Sequence, residues 1–146
     1  MRGEVVDVAG RKLIVDCYNA NPGSMTAALR ALAERAGGAN NGGALAIVGD
    51  MLELGDHAPA AHRAVGALAK ELGLGVIALG DHARTVADAA GSAAEIAATP
   101  ADAAARALAR TAPGAWMLLK ASRGMKLERV LDALRALAAT STGGAR

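Results

Sequence analysis

LIVDCYNANPGSMTAAL, residues 13–29, decides the fold. The apolar run Leu13-Ile14-Val15 ends in Asp16, and a polar loop follows from Tyr18 through Asn19, Asn21 and Pro22 to Gly23. Ser24 then opens a helical pattern with apolar residues at Met25, Ala28, Leu29 and Leu32. Strand, polar loop and capped helix in that order is how α/β proteins build a site at the carboxyl end of a strand. Two side-chain amides in one short loop are more than a connector needs. The loop reads as one wall of a ligand site whose other wall need not lie in this chain.

The same alternation continues outward from this stretch. Upstream, 4–8 and 12–16 are β-prone runs joined by Ala9-Gly10-Arg11, which predicts an antiparallel hairpin. Downstream, the first helix stops at Gly37-Gly38, and 40–43 reads as a flexible loop. Strands are predicted at 44–48, 74–79, 94–98 and 116–119. Helices are predicted at 59–72, 82–90, 100–110 and after Gly124, the third opened by Thr99 as N-cap with Pro100 at the first helical position. The helix at 59–72 carries Ala61, Val65, Leu68 and Leu72 on one face, and the last turns Leu127, Val130, Leu131, Leu134 and Leu137 inward. Strands that are apolar throughout and alternate with helices mean a parallel sheet covered on both faces. The expectation is a three-layer α/β domain over 1–139, with about six mostly parallel strands, one antiparallel strand near the N-terminus, and a frayed tail over 140–146.

Composition narrows the function classes. Tyr18 and Trp116 are the only aromatics, so the core must be built from Leu, Val, Ile and Ala. The net charge of +2 comes from scattered Arg, with no basic run interleaved with aromatics, which argues against nucleic-acid binding. A single cysteine, Cys17, excludes an internal disulfide and suits a reducing cytoplasm. No apolar stretch has membrane length.

Three strands end in polar loops: after Asp16, after Gly49 and after Lys120. In an open parallel sheet these ends share one edge, so the loops should converge. Asp16 can accept two hydroxyl hydrogens, as in ribose recognition, or cap its loop. Asn19 and Asn21 suit a carboxylate, amide or phosphate oxygen, or form turns before Pro22. Asp50 could bind a cation or cap a loop. Ser122, Arg123 and the amides of Gly124 and Met125 stand where a strand meets a helix N-terminus, a place that favours anions, although Ser122 would serve equally as an N-cap. Lys120 reads as a solvated strand-end charge and Cys17 as a small buried residue. His57, His62 and His82 match no zinc spacing, so no metal site is assigned. No G-x-x-x-x-G-K-[ST] phosphate loop occurs, so any ATP-handling apparatus lies elsewhere. A receiver-like signalling domain with Asp50 as phosphoacceptor needs an acidic pair after the first core strand, where Asp16 is followed by Cys17 and Tyr18. A stand-alone nucleotide-binding module needs a glycine fingerprint that no strand supplies.

DCYNANPGSMTAAL (16–29), GDMLELGDHAPAAHRAVG (49–66) and KASRGMKLERV (120–130) together resemble the C-terminal domain of the Mur ligases, and within them the branch that adds D-Ala-D-Ala to a peptidoglycan precursor. The resemblance implies a Rossmann-like fold and a cytoplasmic, monomeric enzyme. It further implies that the enzyme uses ATP and Mg2+ through a central ATPase domain, with an N-terminal UDP-sugar-binding domain beside it. It places Arg2, Asp16 and Asn19 toward the nucleotide, and Asn19, Asn21, Pro22, Asp50, Ser122 and Arg123 toward D-Ala-D-Ala. It assigns no catalytic residue or metal ligand to this chain, which alone should be inactive. Ala121 departs from the family's usual Gly, a methyl group that would narrow the backbone's approach to substrate.

Overall fold

β1 (Arg2–Val8) and β2 (Arg11–Asp16) form the antiparallel hairpin, closed by Ala9 and Gly10 at φ 51° and 82°. Positive φ at both turn residues gives the twist that matches paired strands. Arg11, expected in the connector, is already in β2 and is buried; its guanidinium donates to the carbonyls of Ala9 (2.6 Å) and Thr111 (2.7 Å). A cation thereby closes the last turn of a distant helix. The computed structural model describes residues 2–37 and 43–144, so most of the loop expected at 40–43 lies outside the described residues.

From β2 the chain passes through α1 (Pro22–Ala36) to β3 (Ala44–Val48), α2 (Ala58–Glu71), β4 (Gly75–Ala78), α3 (Ala83–Ala90), β5 (Ala94–Ile96), α4 (Pro100–Arg110), β6 (Trp116–Lys120) and α5 (Glu128–Gly144). The sheet order is β1-β2-β6-β3-β4-β5, antiparallel only between β1 and β2. This is the expected three-layer, Rossmann-like arrangement. Leu13, Val15, Leu45, Ile47, Met117 and Leu119 pack with α4 and α5; Ile14, Ala46, Val48, Val76 and Leu118 pack with α1, α2 and α3. Crossovers of one hand require this: helices lie on one face while strands step from β3 to β5, and on the other once the chain returns to β6. The core is aliphatic, and neither aromatic ring is fully buried.

Some expectations shift. Helix α1 begins two residues before Ser24, because Asn21 rather than Ser24 is its N-cap, with Pro22 at the first helical position. Thr99 caps α4 as expected, accepting from the Asp102 amide at 3.0 Å. The buried stripe of α2 is Ala58, His62, Val65, Gly66 and Ala69; Ala61, Leu68 and Leu72 are only half-buried. The helix is turned so that His62 faces inward. Leu127, just before α5, and Val130, Leu131 and Leu134 within it are buried, but Leu137 is exposed. The backbone of α5 is helical through Gly144, and residues 145–146 of the tail expected at 140–146 lie outside the described residues.

The sheet register sets the site. Asp16 pairs with Lys120, and Lys120 with Val48, so the carboxyl ends of β2, β6 and β3 stand level. The chain leaves β2 and β3 toward one face and β6 toward the other. The crevice between such diverging exits is where open α/β sheets place ligands.

Candidate functional site

Asp16 closes β2 and Lys120 closes β6, on adjacent strands in register. Lys120, expected to be solvated, has a side chain only 2% exposed, and its Nζ donates to Asp16 Oδ2 at 2.7 Å and to the Asn19 carbonyl at 3.0 Å. A buried ammonium is tolerable only with such partners. The lysine therefore holds both the strand-end carboxylate and the loop that follows it. Asp16 keeps its second carboxylate oxygen as an acceptor, with 24% of its side chain exposed. A cavity of about 430 Å3 opens at this corner, lined by Gly3, Asp16, Tyr18, Asn19, Ser24 and Lys120. A second, more apolar groove of about 360 Å3 shares Gly3, Asp16 and Ser24 and runs along α1 past Ile14, Ala28 and Leu118 to Arg35.

The Asn loop is shaped by a capping box. Asn21 Oδ1 accepts from the Ser24 amide at 2.9 Å, and Ser24 Oγ accepts from the Asn21 amide at 3.1 Å. Asn21 and Pro22 thus start α1, while Asn19 lines the cavity. Arg2 meets the same corner through the backbone: it pairs with Asp16 across the hairpin, beside a bulge at Gly3. The Arg123 guanidinium lies 5.6 Å from the centre of the Tyr18 ring, joining the loops after β6 and β2 by a cation–π contact.

Asp50 and Ser122 lie deeper. Asp50 is 3% exposed, and its two oxygens accept from the backbone amides of Asp81 and His82, each at 2.9 Å. Gly80 lies so close that a Cβ there would fall 2.5 Å from Asp50 Oδ2. The carboxylate is a loop cap, turned away from the cavity, and offers no exposed phosphoacceptor. Ser122, also buried, accepts from the Leu52 amide at 2.8 Å and donates to the Ala20 carbonyl at 3.4 Å. One hydroxyl therefore ties together all three loops. It makes no N-cap bond: residues 123–125 form a single 3-10 turn, and α5 begins only at Glu128, so the helix terminus stands further off than expected.

Ala121 is fully buried, its methyl against Gly49, where a Cβ would come within 2.8 Å. It packs into the core and does not narrow the cavity. Cys17 is buried too; burial, with the Glu128 and Asp16 carboxylates nearby, pushes its thiol up to about 12, far from a nucleophile. His62 accepts a hydrogen bond from the Met51 amide at 2.9 Å, and its ring stacks on His82 at 4.2 Å. Among the described residues, no group of three or more His, Cys, Asp or Glu is placed to hold a metal ion. No helix among them is long and apolar enough to cross a membrane.

Of the residues singled out in the sequence, the structure gathers Asp16 and Asn19 at the cavity, with Arg123 stacked on the Tyr18 that lines it. Asp50 and Ser122 are buried and lie outside the cavity's lining. Sequence reasoning missed Lys120 and His62. The usable signal for Lys120 was a lone charge ending an otherwise apolar central strand.

Comparison with known proteins agrees with this geometry. The family model for "Mur ligase, glutamate ligase domain" matches residues 1–123. Over 80 residues the chain is 42% identical to the UDP-N-acetylmuramoyl-tripeptide--D-alanyl-D-alanine ligase of Escherichia coli (strain K12), covering 54% of this chain and 17% of that one. The MurF ligase from Thermotoga maritima, solved in complex with ADP, superposes with a TM-score of 0.82 at 26% identity, covering 96% of this chain and 31% of the ligase. MurF from Acinetobacter baumannii gives 0.77 at 28% identity, covering 91% and 29%. The chain thus spans less than a third of the ligases it resembles. With 123 of its 146 residues matched, it belongs to the Mur ligase family and represents that family's C-terminal domain.

Proposed function

We propose that this chain serves the ATP-dependent ligase that joins D-Ala-D-Ala to UDP-MurNAc-tripeptide in peptidoglycan synthesis, as the domain that closes over nucleotide and incoming dipeptide. The observation that carries this reading is the cavity at the level ends of β2 and β6, where Asp16 and Asn19 stand beside a buried lysine. The ADP held by the Thermotoga maritima ligase supports the nucleotide part.

In this reading Arg2, Asp16 and Asn19 face the nucleotide. The free oxygen of Asp16 suits ribose hydroxyls, and Lys120 fixes its direction. Asn19, Asn21, Pro22 and Arg123 border the dipeptide. The guanidinium on Tyr18 is a planar donor matched to a carboxylate. Asp50 and Ser122 act indirectly, by holding the loops. The dipeptide's amine must remain unpaired to attack an activated carboxyl group held on another domain. In this reading Mg2+ and the phosphate-binding apparatus belong to the central ATPase domain, with a UDP-sugar-binding domain preceding it, in a cytoplasmic monomer.

The purified chain should neither hydrolyse ATP nor consume D-Ala-D-Ala, and should do both, dependent on UDP-MurNAc-tripeptide, once joined to its upstream domains. ATP turnover by the isolated chain in the presence of D-Ala-D-Ala would overturn the proposal.

A further inference from the structure

The loop after β3 starts with two backbone bonds to the β6 end, Gly49 donating to the Lys120 carbonyl and Ser122 donating to the Asp50 carbonyl, each at 3.0 Å, and its next two residues are held by side chains. Leu52 donates to Ser122 Oγ, which donates onward to Ala20 in the loop after β2. Met51 donates to Nε2 of His62. His62 is 1% exposed, and its other ring nitrogen faces the Ala58 carbonyl at 2.7 Å. A carbonyl only accepts and an amide only donates, so both contacts hold only if Nδ1 carries the proton and Nε2 is bare. The imidazole is therefore fixed as one neutral tautomer.

We propose that His62 is a positioning residue for the cleft: as a neutral Nε2 acceptor it fixes the Met51–Leu52 segment, and through Ser122 the Ala20 loop, so that protonating it releases both. The relevance to dipeptide binding rests on the function proposed above; the positional claim does not.

The surroundings favour the neutral ring. His62 is held below its ordinary value of 6.5, first by burial and also by His82; the Ala58 carbonyl and Asp50 act in the opposite direction but are outweighed. The titratable groups facing the ring are His82, from the start of α3, and Asp50, from the loop after β3. Asp50 already accepts two amide hydrogens, and His82 lies face to face with His62, at 16° between ring planes. A proton on Nε2 would meet the Met51 N–H, donor against donor. Because the folded-state value is depressed, the hold is complete above pH 6.5 and is lost as pH falls through the lower folded value.

The test is a pH titration of the 146-residue chain by NMR, following the His62 ring nitrogens and the amides of Met51, Leu52, Ala20 and, as a remote control, Leu108. At neutral pH the ring nitrogens should report the Nδ1–H tautomer. On acidification the first three amides should shift with the midpoint of His62, below 6.5, while Leu108 stays put. In His62→Gln, whose side-chain carbonyl can accept at the same place, the three amides should keep near wild-type positions and lose their pH dependence. In His62→Leu, Met51 amide exchange should accelerate about tenfold at neutral pH, the loss of one hydrogen bond. If His62→Leu does not fold, the wild-type titration and His62→Gln decide. An Nε2–H tautomer, amides that ignore the His62 midpoint, or a His62→Gln chain that keeps the full pH response would each overturn the inference. Failure of dipeptide binding with these responses intact would count against the proposed function alone.

Discussion

Asp16 and Asp50 look alike in the sequence. Each follows an apolar strand and precedes a polar loop and a helix, and the strands they follow flank β6. In the structure they are opposites. Asp16 meets a lysine from β6, keeps one oxygen uncommitted and lines a cavity. Asp50 meets the backbone amides of Asp81 and His82, which approach closely because residue 80 has no side chain, and is sealed. The lesson is that a strand-end carboxylate is assigned its role by what the neighbouring strand supplies. A side-chain cation leaves it half open, whereas two backbone amides close it.

The contrast can be broken from either side. Replacing Asp50 should have the largest effect on stability. Asp50→Ala leaves the part-buried amides of Asp81 and His82 without their acceptor and removes two charge-assisted bonds, a loss of about 4 kcal/mol by urea unfolding. A loss of less than about 1 kcal/mol would mean that water reaches this corner as it does the other. Lys120→Met tests the open side. It strands Asp16 beside an apolar side chain, but Asp16 can turn to solvent, so we expect about 3 kcal/mol, the low end for breaking a buried pair. It should also loosen the Asn19 loop, seen as faster amide exchange at Asn19 and Ala20.

The smallest effect sharpens the comparison further. Asn21 and Thr99 cap α1 and α4 with the same chemistry, but only Asn21 is bonded to a residue that lines the cavity, Ser24. Asn21→Ala and Thr99→Ala should each lower stability by about 1 kcal/mol. Only Asn21→Ala should move the resonances of Asn19 and Tyr18. Equal responses there would mean that the cap does not shape the site.

Much of this was legible in the sequence. Short continuous apolar runs, the Gly-containing hairpin connector and Thr99-Pro100 gave the elements, and the alternation gave the parallel sheet. The three loops were correctly expected to converge, because parallel strands put their carboxyl ends on one edge. What stayed hidden was pairing. Nothing local shows that Lys120 stands in register with Asp16 across 104 residues, or that Gly80 makes room for the Asp50 carboxylate. The inward turn of His62 was hidden for the same reason, since its acceptor role exists only once α2 lies against Met51. The helix start expected near Gly124 missed because backbone propensity alone does not fix helix ends.

In the proposed function the Asp16 corner contacts ligand while the Asp50 corner only supports it. The most direct test is ligase turnover by the chain joined to its upstream domains, comparing Asp16→Asn with Asp50→Asn at a temperature where both are folded. Asp16→Asn should lower kcat/KM for ATP about tenfold or more, since one charged hydrogen bond to ligand is lost. Asp50→Asn should lower the unfolding temperature but leave kcat/KM within about twofold. The reverse pattern, with Asp16→Asn active and Asp50→Asn folded but inactive, would contradict it.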